Sequence, residues 1–197
     1  MQNSGNKSPL FSMKKGDLFK ETDNNKRLIM VIGGARGGKS DFALNLAEDL
    51  GDRRIYLATA EALDQEMEER IRLHKETRSD LWETVEEPLE IITALSDLRE
   101  RCDVVVLDCL TLWLSNLITK GDNTDKVILE KVEVLSGITC DLGYSMVIVS
   151  NEVGMGIVPE NRLARRFRDI AGRSNQILSD TANDVYMVMA GIPVKIK

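Results

Sequence analysis

The sequence predicts an α/β fold in which a mostly parallel sheet is flanked by helices on both faces. Short apolar runs alternate with stretches of helical periodicity, and a break at Gly191-Ile192-Pro193 marks a hairpin near the end of the sequence. Parallel strands are joined by right-handed helical crossovers, which cover both faces of a sheet. The 197 residues, 43% of them hydrophobic and 29% charged, are enough for one such domain.

Five apolar runs are predicted to be strands, because each is short, rich in Val, Ile, Leu or Met, and flanked by polar residues. They are Leu28 to Ile32, Arg54 to Ala58, Val104 to Leu107, Ser145 to Val149 and Asp184 to Met189. The final segment, Val185 to Ile196, is predicted to form a closing hairpin.

Helical patterns occupy the intervals between the strands. Apolar residues recur every third or fourth position, as expected for one buried helix face. The patterns are Phe42, Leu46 and Leu50; Met67 and Ile71; and Leu89, Ile92 and Leu95, which follow a Pro88 suited to the first turn of a helix.

The sequence divides into an N-terminal extension, residues 1–26, and a domain, residues 27–197. The extension is rich in Asn, Ser, Lys, Gly and Asp and has no sustained apolar period. Such a composition buries too little apolar surface to offset its ordering entropy, so we expect a flexible segment.

Charge and hydropathy exclude several classes of function. A net charge of −6 argues against a general nucleic-acid surface, which needs clustered Lys and Arg. The apolar runs are too short to cross a bilayer, and the N-terminus lacks the apolar core of a signal peptide. We therefore expect a cytoplasmic protein with no membrane span. Cys102, Cys109 and Cys140 form no CxxC pair and are expected to be small buried side chains.

The motif GxxxxGK[ST] lies directly after the first strand and before an amphipathic helix, which is the context that a phosphate-binding loop requires. Its residues are Gly33, Gly34, Ala35, Arg36, Gly37, Gly38, Lys39 and Ser40. Glycines allow backbone N–H groups to face a polyphosphate, Lys39 neutralises the β and γ oxygens, and Ser40 can ligate Mg²⁺. The motif predicts a P-loop NTPase fold.

A second acidic element supports this prediction. Asp108 ends the apolar strand Val104 to Leu107, as does the metal-orienting carboxylate on a neighbouring strand of P-loop enzymes. We expect Asp108 to share the Mg²⁺ with Ser40. The alternative is that Asp108 only caps the following helix.

The single histidine, His74, lies in a pattern read as a helix from about Asp64 to Lys75. A lone helical histidine is often only a surface or packed residue. A neutral imidazole nitrogen can nevertheless attack phosphorus and form a phosphoramidate, which divides a nucleotidyl transfer into two displacements. The nearby cations, Arg70, Arg72, Lys75 and Arg78, either balance phosphate charge or form a solvated helix face.

Several of these motifs together resemble the bifunctional adenosylcobinamide kinase/adenosylcobinamide-phosphate guanylyltransferase family. The resemblance covers roughly residues 28–197. It rests on the Gly33 to Ser40 loop, on Arg70-Ile71-Arg72-Leu73-His74-Lys75, and on the run from Asn151 to Asn161 continued by Arg162, Phe167, Arg168, Asp169 and Gly172. One departure is Gly37, where the family is expected to have a serine.

The resemblance implies a RecA-like P-loop fold, a homotrimer and two activities. The first phosphorylates adenosylcobinamide with ATP or GTP. The second transfers GMP from GTP to that phosphate through a guanylylated histidine, matched here by His74, and releases pyrophosphate and adenosylcobinamide-GDP. By the same alignment further residues fall where the family holds its nucleotide: Thr59, Ala60, Glu61, Lys75, Glu76, Thr77, Arg78, Glu86 and Asp108.

The segment Asn151 to Pro159 follows a strand, so it leaves the carboxyl edge of the sheet, where open α/β folds bind ligands. Asn151 or Glu152 can contact the γ-phosphate or orient the attacking hydroxyl, unless the stretch only shapes a turn or a subunit contact. A basic set downstream serves either phosphate or an interface between copies, and spacing does not decide between them. Its members are Arg162, Arg165, Arg166 and Arg168.

Two other functions fit the same motifs. A one-step P-loop small-molecule kinase with a structural His74 would share the fold and Mg²⁺ but form no covalent intermediate. A nucleotide switch or RecA-like ATPase would need an extended partner surface, and the sequence indicates none.

Overall fold

The computed structural model describes residues 26–61, 81–121, 123–139 and 141–197. Seven strands form one sheet in the order β3-β2-β4-β5-β1-β6-β7, and all neighbouring pairs are parallel except β6 and β7. The strands are β1 (Leu28–Gly33), β2 (Arg54–Ala58), β3 (Trp82–Glu86), β4 (Val104–Asp108), β5 (Ser145–Asn151), β6 (Asp184–Met189) and β7 (Ile192–Lys195).

Five helices of the described residues pack on this sheet: α1 (Lys39–Glu48), α2 (Ile91–Asp97), α3 (Leu110–Lys120), α4 (Asp125–Ile138) and α5 (Arg162–Thr181). Thr124 and Asn161 cap α4 and α5, since their side-chain oxygens accept the backbone N–H groups of Val127 and Ala164. None of these helices has both the length and the apolar character needed to cross a bilayer.

The core consists of two apolar layers, one on each face of the sheet. Alternate residues of the strands face opposite sides, so Ile29 and Val31 pack with α1, whereas Met30 and Ile32 pack with the layer of α2 to α5. Helices on both faces explain why the inner strands are apolar on both sides. The predicted fold class, a mostly parallel α/β sheet flanked by helices with a closing hairpin, is confirmed.

All five predicted strands are present, and three of them run one or two residues beyond their apolar runs, into Gly33, Asp108 and Asn151. The strand Trp82–Glu86 was not predicted. Within the described part of the sheet it pairs with β2 alone, and its only apolar residues, Trp82 and Val85, are half-exposed, so it lacks the continuous apolar run of an inner strand.

Pro88 lies outside α2 rather than in its first turn. The helix begins only after Glu90, because the Glu87 carboxylate accepts the N–H groups of Leu89 and Glu90 at 2.9 and 2.8 Å and holds this stretch as a turn. The predicted helix from about Asp64 to Lys75 lies outside the described residues, as does most of the extension.

Cys102 and Cys109 are buried and free, as expected from the sequence, and Cys140 lies outside the described residues. Burial raises the pKa of both described thiols to about 11, so neither is a reactive thiolate near neutral pH.

Candidate active site

The residues Gly33 to Ser40 connect β1 to α1 in the manner that the motif predicts. The N–H of Gly37 donates to the carbonyl of Gly34 at 3.2 Å, which closes the turn. Gly38 precedes the helix with a φ of 88°, a left-handed conformation that glycine adopts at little cost. The loop therefore presents the unpaired N–H groups of the α1 N-terminus toward the carboxyl edge of the sheet.

Lys39 is the basic group of this loop. Its side chain is buried, and its ammonium group donates to the carbonyl of Gly34 at 2.7 Å. Desolvation lowers the pKa of Lys39, and the nearby Cys109 and Asp108 oppose this effect. A desolvated ammonium already directed at the loop is suited to bind phosphate oxygens, since its charge is screened little by water.

The C-terminal hairpin braces the phosphate loop. The N–H of Gly191, in the turn between β6 and β7, donates to the carbonyl of Gly37 at 3.0 Å. A Cβ atom on Gly33 would lie 2.3 Å from the Val188 carbonyl oxygen, and one on Gly38 would lie 3.2 Å from the Gly191 Cα. The loop needs glycine at these positions because the hairpin backbone approaches so closely.

Asp108 stands at the carboxyl end of β4, two strands from β1. The Tyr56 hydroxyl donates to its Oδ2 atom at 2.7 Å, which fixes the orientation of the carboxylate. Asp108 lies near enough to Lys39 for the two charges to interact, and this attraction raises the pKa of Lys39 against the effect of desolvation. A half-buried carboxylate beside the loop and the hydroxyl of Ser40 are hard oxygen donors of the kind that Mg²⁺ prefers, so the residues present fit this ion.

Thr59, Ala60 and Glu61 continue from β2 at the same edge. The buried Thr59 hydroxyl donates to the Cys109 carbonyl at 2.8 Å and accepts the Cys109 N–H at 2.9 Å. The Glu61 carboxylate forms an ion pair with Lys120. Thr59 thus fixes the turn that follows Asp108.

Most of the predicted site residues that the structure describes lie at the carboxyl edge of the parallel sheet. β1, β2, β3 and β4 end at Gly33, Ala58, Glu86 and Asp108, and parallel strands end on the same side of a sheet. Glu86 ends β3, which is the outermost strand on one side of the sheet and lies three strands away from β5. The remaining predicted residues, His74, Lys75, Glu76, Thr77 and Arg78, lie outside the described residues.

The segment from Glu152 to Glu160 leaves β5 beside the phosphate loop, and the N–H of Glu152 donates to the Gly33 carbonyl at 3.0 Å. Arg165 secures its far end by donating to the carbonyls of Pro159 and Glu160. Large apolar side chains of this segment and of the first turn of helix α5 are nevertheless exposed: Met155, Ile157, Val158 and Leu163.

Two of the four arginines in the basic set on α5 contact described residues outside this helix. Arg165 holds the preceding segment, and Arg166 forms an ion pair with Asp125 and donates to the Asn123 carbonyl at 2.6 Å. Both side chains make contacts within the chain. Arg162, in contrast, is exposed on the first turn of α5.

Several residues that support the site were not predicted from the sequence. Tyr56, Thr111, Asn175 and the Gly191 turn all contact site residues, but they come from four separate elements. Thr111 and Asn175 could have been found as polar residues within helices, at positions that are buried. Buried polar groups need hydrogen-bond partners.

The glycine-rich loop between β1 and α1, the buried Lys39 and the acidic end of β4 together define a P-loop nucleotide-binding protein. The chain matches the cobinamide kinase / cobinamide phosphate guanyltransferase family over residues 29–196, and it belongs to that family.

Three bacterial relatives show the same similarity over nearly their whole length. The bifunctional adenosylcobalamin biosynthesis proteins CobU of Salmonella typhimurium and of Escherichia coli are each 41% identical over 181 residues, which cover 86% of this chain and 99% of each relative. The corresponding protein CobP of Pseudomonas aeruginosa is 39% identical over 168 residues, which cover 85% of this chain and 96% of the relative.

Proposed function

We propose that this protein phosphorylates adenosylcobinamide with ATP or GTP and then transfers GMP from GTP to the product. The observation that carries the proposal is the phosphate loop with its buried Lys39 at the carboxyl edge of the sheet, in a chain that belongs to the kinase and guanyltransferase family. The same phosphate loop holds the triphosphate in both reactions. The reactions differ in the phosphorus atom that is attacked.

In the kinase step the substrate's own hydroxyl attacks the γ-phosphorus. Lys39 and the N–H groups at the start of α1 bind the phosphate oxygens and stabilise the charge that spreads over them in the transition state. Ser40 and Asp108 would hold Mg²⁺, which when bound neutralises charge on the β and γ oxygens. Tyr56 keeps the Asp108 carboxylate oriented for this purpose.

In the guanylyl transfer, His74 attacks the α-phosphorus of GTP and pyrophosphate leaves. The resulting guanylyl group then passes from the ring nitrogen to the phosphate of adenosylcobinamide-phosphate. Lys75, Glu76, Thr77 and Arg78 follow His74 directly in sequence and are proposed to hold the nucleotide with Thr59, Ala60, Glu61 and Glu86. His74 is the single histidine of the sequence, so no second imidazole can replace it.

The exposed segment after β5 is proposed to receive the corrinoid. Met155, Ile157 and Val158 offer apolar surface, and the segment begins where Glu152 is bonded to Gly33 at the phosphate loop. A bulky corrinoid whose hydroxyl reaches the γ-phosphate must extend away from that point. We further propose a homotrimer in the cytoplasm, on the family resemblance.

Labelled GTP distinguishes this function from a one-step kinase. The wild-type protein should retain label from α-labelled GTP after denaturation and none from γ-labelled GTP, because the γ-phosphate leaves with pyrophosphate. The linkage should be acid-labile, since protonation of a phosphoramidate nitrogen makes imidazole a good leaving group. Labelling should also fall below about pH 6.5, the ordinary pKa of histidine, because the attack needs a neutral ring.

Two variants provide matched controls. His74→Ala should lose the label and the guanylyl transfer but keep kinase activity, whereas Lys39→Ala should lose both reactions. An alanine variant of His74 that still carries acid-labile α-label, or still makes adenosylcobinamide-GDP at the wild-type rate, would show that His74 has another role. Kinase activity without any α-label in the wild type would favour the one-step kinase.

A further inference from the structure

Buried polar residues form a series of hydrogen bonds at the end of β5, beside the phosphate loop, and these bonds fix the position of Asn151. We propose that Thr111 and Asn175 hold Asn151 so that its carboxamide contacts the phosphoryl group during transfer. The inference rests on the proposed function, because it requires that the site transfers the γ-phosphoryl group of a nucleoside triphosphate.

The end of β5 needs support because β5 extends beyond one of its neighbours. Its pairing with β4 ends at Asp108 and Val149, whereas its pairing with β1 continues to Gly33 and Asn151. Among the described strands, the last two residues of β5 therefore have a neighbour on one side only. Buried backbone groups on the other side must find partners elsewhere.

Asn175 of α5 supplies one such partner, for the Asn151 carbonyl, and also binds the Ser150 side chain. Its Nδ2 atom donates to the Asn151 carbonyl at 3.3 Å, and its Oδ1 atom accepts the Ser150 hydroxyl at 2.6 Å. Asn175 and Ser150 are both buried. One carboxamide on a long helix thus fixes the backbone from which the Asn151 side chain projects.

Thr111 fixes the Asn151 side chain itself. The Asn151 Nδ2 atom donates to the Thr111 hydroxyl at 2.9 Å, and that buried hydroxyl lies 3.2 Å from the Cys109 sulfur. Strand alternation places Asn151 with Val147 and Val149 on the face covered by α1. The carboxamide therefore lies on the Lys39 side of the sheet, in register with the first residue of the phosphate loop.

An amide nitrogen carries two N–H groups, and the bond to Thr111 uses one of them. The second is the donor assigned to a γ-phosphoryl oxygen. In the transfer the acceptor oxygen bonds to the γ-phosphorus, the bond to the bridging oxygen breaks, and the nucleoside diphosphate leaves with the electron pair while the hydroxyl proton passes to solvent. Donors that are fixed in advance stabilise the charge on the moving phosphoryl group.

The neighbouring Glu152 is less suited to this role. Its carboxylate accepts the N–H of Gly154 at 2.6 Å and so belongs to the turn of its own segment. A second negative charge beside a phosphoryl group would also be repulsive. The geometry thus selects Asn151 from the two candidates that the sequence offered.

The test is a double-variant cycle on the full-length protein, in which the kinase rate is measured with saturating adenosylcobinamide over a range of GTP concentrations. Asn151→Ala should lower the kinase kcat about 100-fold, in the range seen when one preorganised donor is removed, with less than about a twofold change in the KM for GTP. Thr111→Val should lower kcat about tenfold, and Thr111→Ser, which keeps the hydroxyl, should restore it to within about twofold.

The variant that combines Thr111→Val with Asn151→Ala should be no slower than Asn151→Ala alone, because Thr111 acts only through Asn151. Thr119→Val is the matched control. Thr119 lies on the same helix, and its exposed hydroxyl donates to the Ser115 carbonyl, so its loss should leave kcat within about twofold of the wild type.

Three results would overturn the inference: an Asn151→Ala variant with wild-type kcat, losses that multiply in the combined variant, or equal losses in Thr111→Ser and Thr111→Val. If Thr111→Val does not fold, Thr111→Ala, which also removes the hydroxyl, takes its place in each comparison. The same cycle on GTP hydrolysis, with water as acceptor, separates the two proposals. If Asn151→Ala lowers the rate of GTP hydrolysis but the wild type transfers no phosphate to adenosylcobinamide, the positioning role stands and the assigned substrate is wrong. A wild type inactive with both acceptors would refute both.

Discussion

The glycines of the phosphate loop differ in the space around them, so substitution by alanine should strongly destabilise the protein at one position and have little effect at the next. At Gly33 an added Cβ would lie 2.3 Å from the Val188 carbonyl oxygen, which belongs to the neighbouring strand β6. This is roughly 1 Å closer than an ordinary carbon–oxygen contact of about 3.3 Å. Neither atom can rotate away because both are fixed to paired backbones.

Relief of this overlap requires β1 and β6 to separate where they are hydrogen-bonded. Overpacking in a core costs about 1–3 kcal/mol, and a rigid backbone obstacle places Gly33→Ala at the upper end of that range or above it. We therefore expect the free energy of unfolding to fall by about 3 kcal/mol.

Gly34→Ala is the matched control, since, apart from its own chain neighbours, no atom of the described residues lies within 4 Å of the Cβ that it adds. Its free energy of unfolding should stay within about 0.5 kcal/mol of the wild type. Gly37→Ala should be intermediate, because the added Cβ meets the Gly34 carbonyl oxygen at 3.0 Å and this oxygen belongs to the loop itself.

Urea denaturation of the nucleotide-free variants, followed by circular dichroism, measures these differences without interference from ligand binding. A Gly33→Ala variant as stable as the wild type would show that the overlap with Val188 costs nothing. If Gly34→Ala lost as much stability as Gly33→Ala, the hairpin would not be the cause of the loss.

Three further predictions concern charge and the extension. Lys39→Ala should lower the rate of both transfers by about 100-fold or more, in line with the roughly 3 kcal/mol lost with a preorganised phosphate ligand, and steady-state assays of each product would reveal any reaction that survives. Hydrogen bonds from Arg53 lower the pKa of Asp103 to about 2, so the stabilisation that the ionised carboxylate provides is fully present above about pH 4 and is lost as the pH falls from about 4 through about 2. Asp103→Asn should therefore flatten the dependence of unfolding free energy on pH between about 4 and 2, and an unchanged slope in urea titrations would contradict this origin. Deletion of residues 1–26 should leave the melting temperature and both activities nearly unchanged, whereas a large loss of either would show that the extension packs on the domain.

The inner strands and the phosphate loop were predictable because their signals are local. β2 and β6 match their apolar runs residue for residue, and the glycine spacing identified the loop with its Lys39. The edge strand Trp82–Glu86 was missed because its stability comes from pairing with β2, which its own half-exposed sequence does not reveal.

Long-range support of the site was predictable only in part. The motif located Asp108, but not the Tyr56 hydroxyl that orients it from a strand 52 residues away. A hairpin was expected at Gly191, yet its hydrogen bond to Gly37 depends on how β6 and β1 pair. Such contacts are tertiary, and no short window of sequence contains both partners.

The brace between the hairpin and the phosphate loop also bears on how the site is completed during synthesis. The ribosome makes Gly37 long before Gly191, and β1 must wait for partners such as Asn183, whose side chain binds the Leu28 N–H across 155 residues of sequence. Pairings of such high contact order form late in folding. We therefore expect that a nascent chain which contains the entire glycine-rich motif does not bind nucleotide until β6 and β7 have left the ribosome.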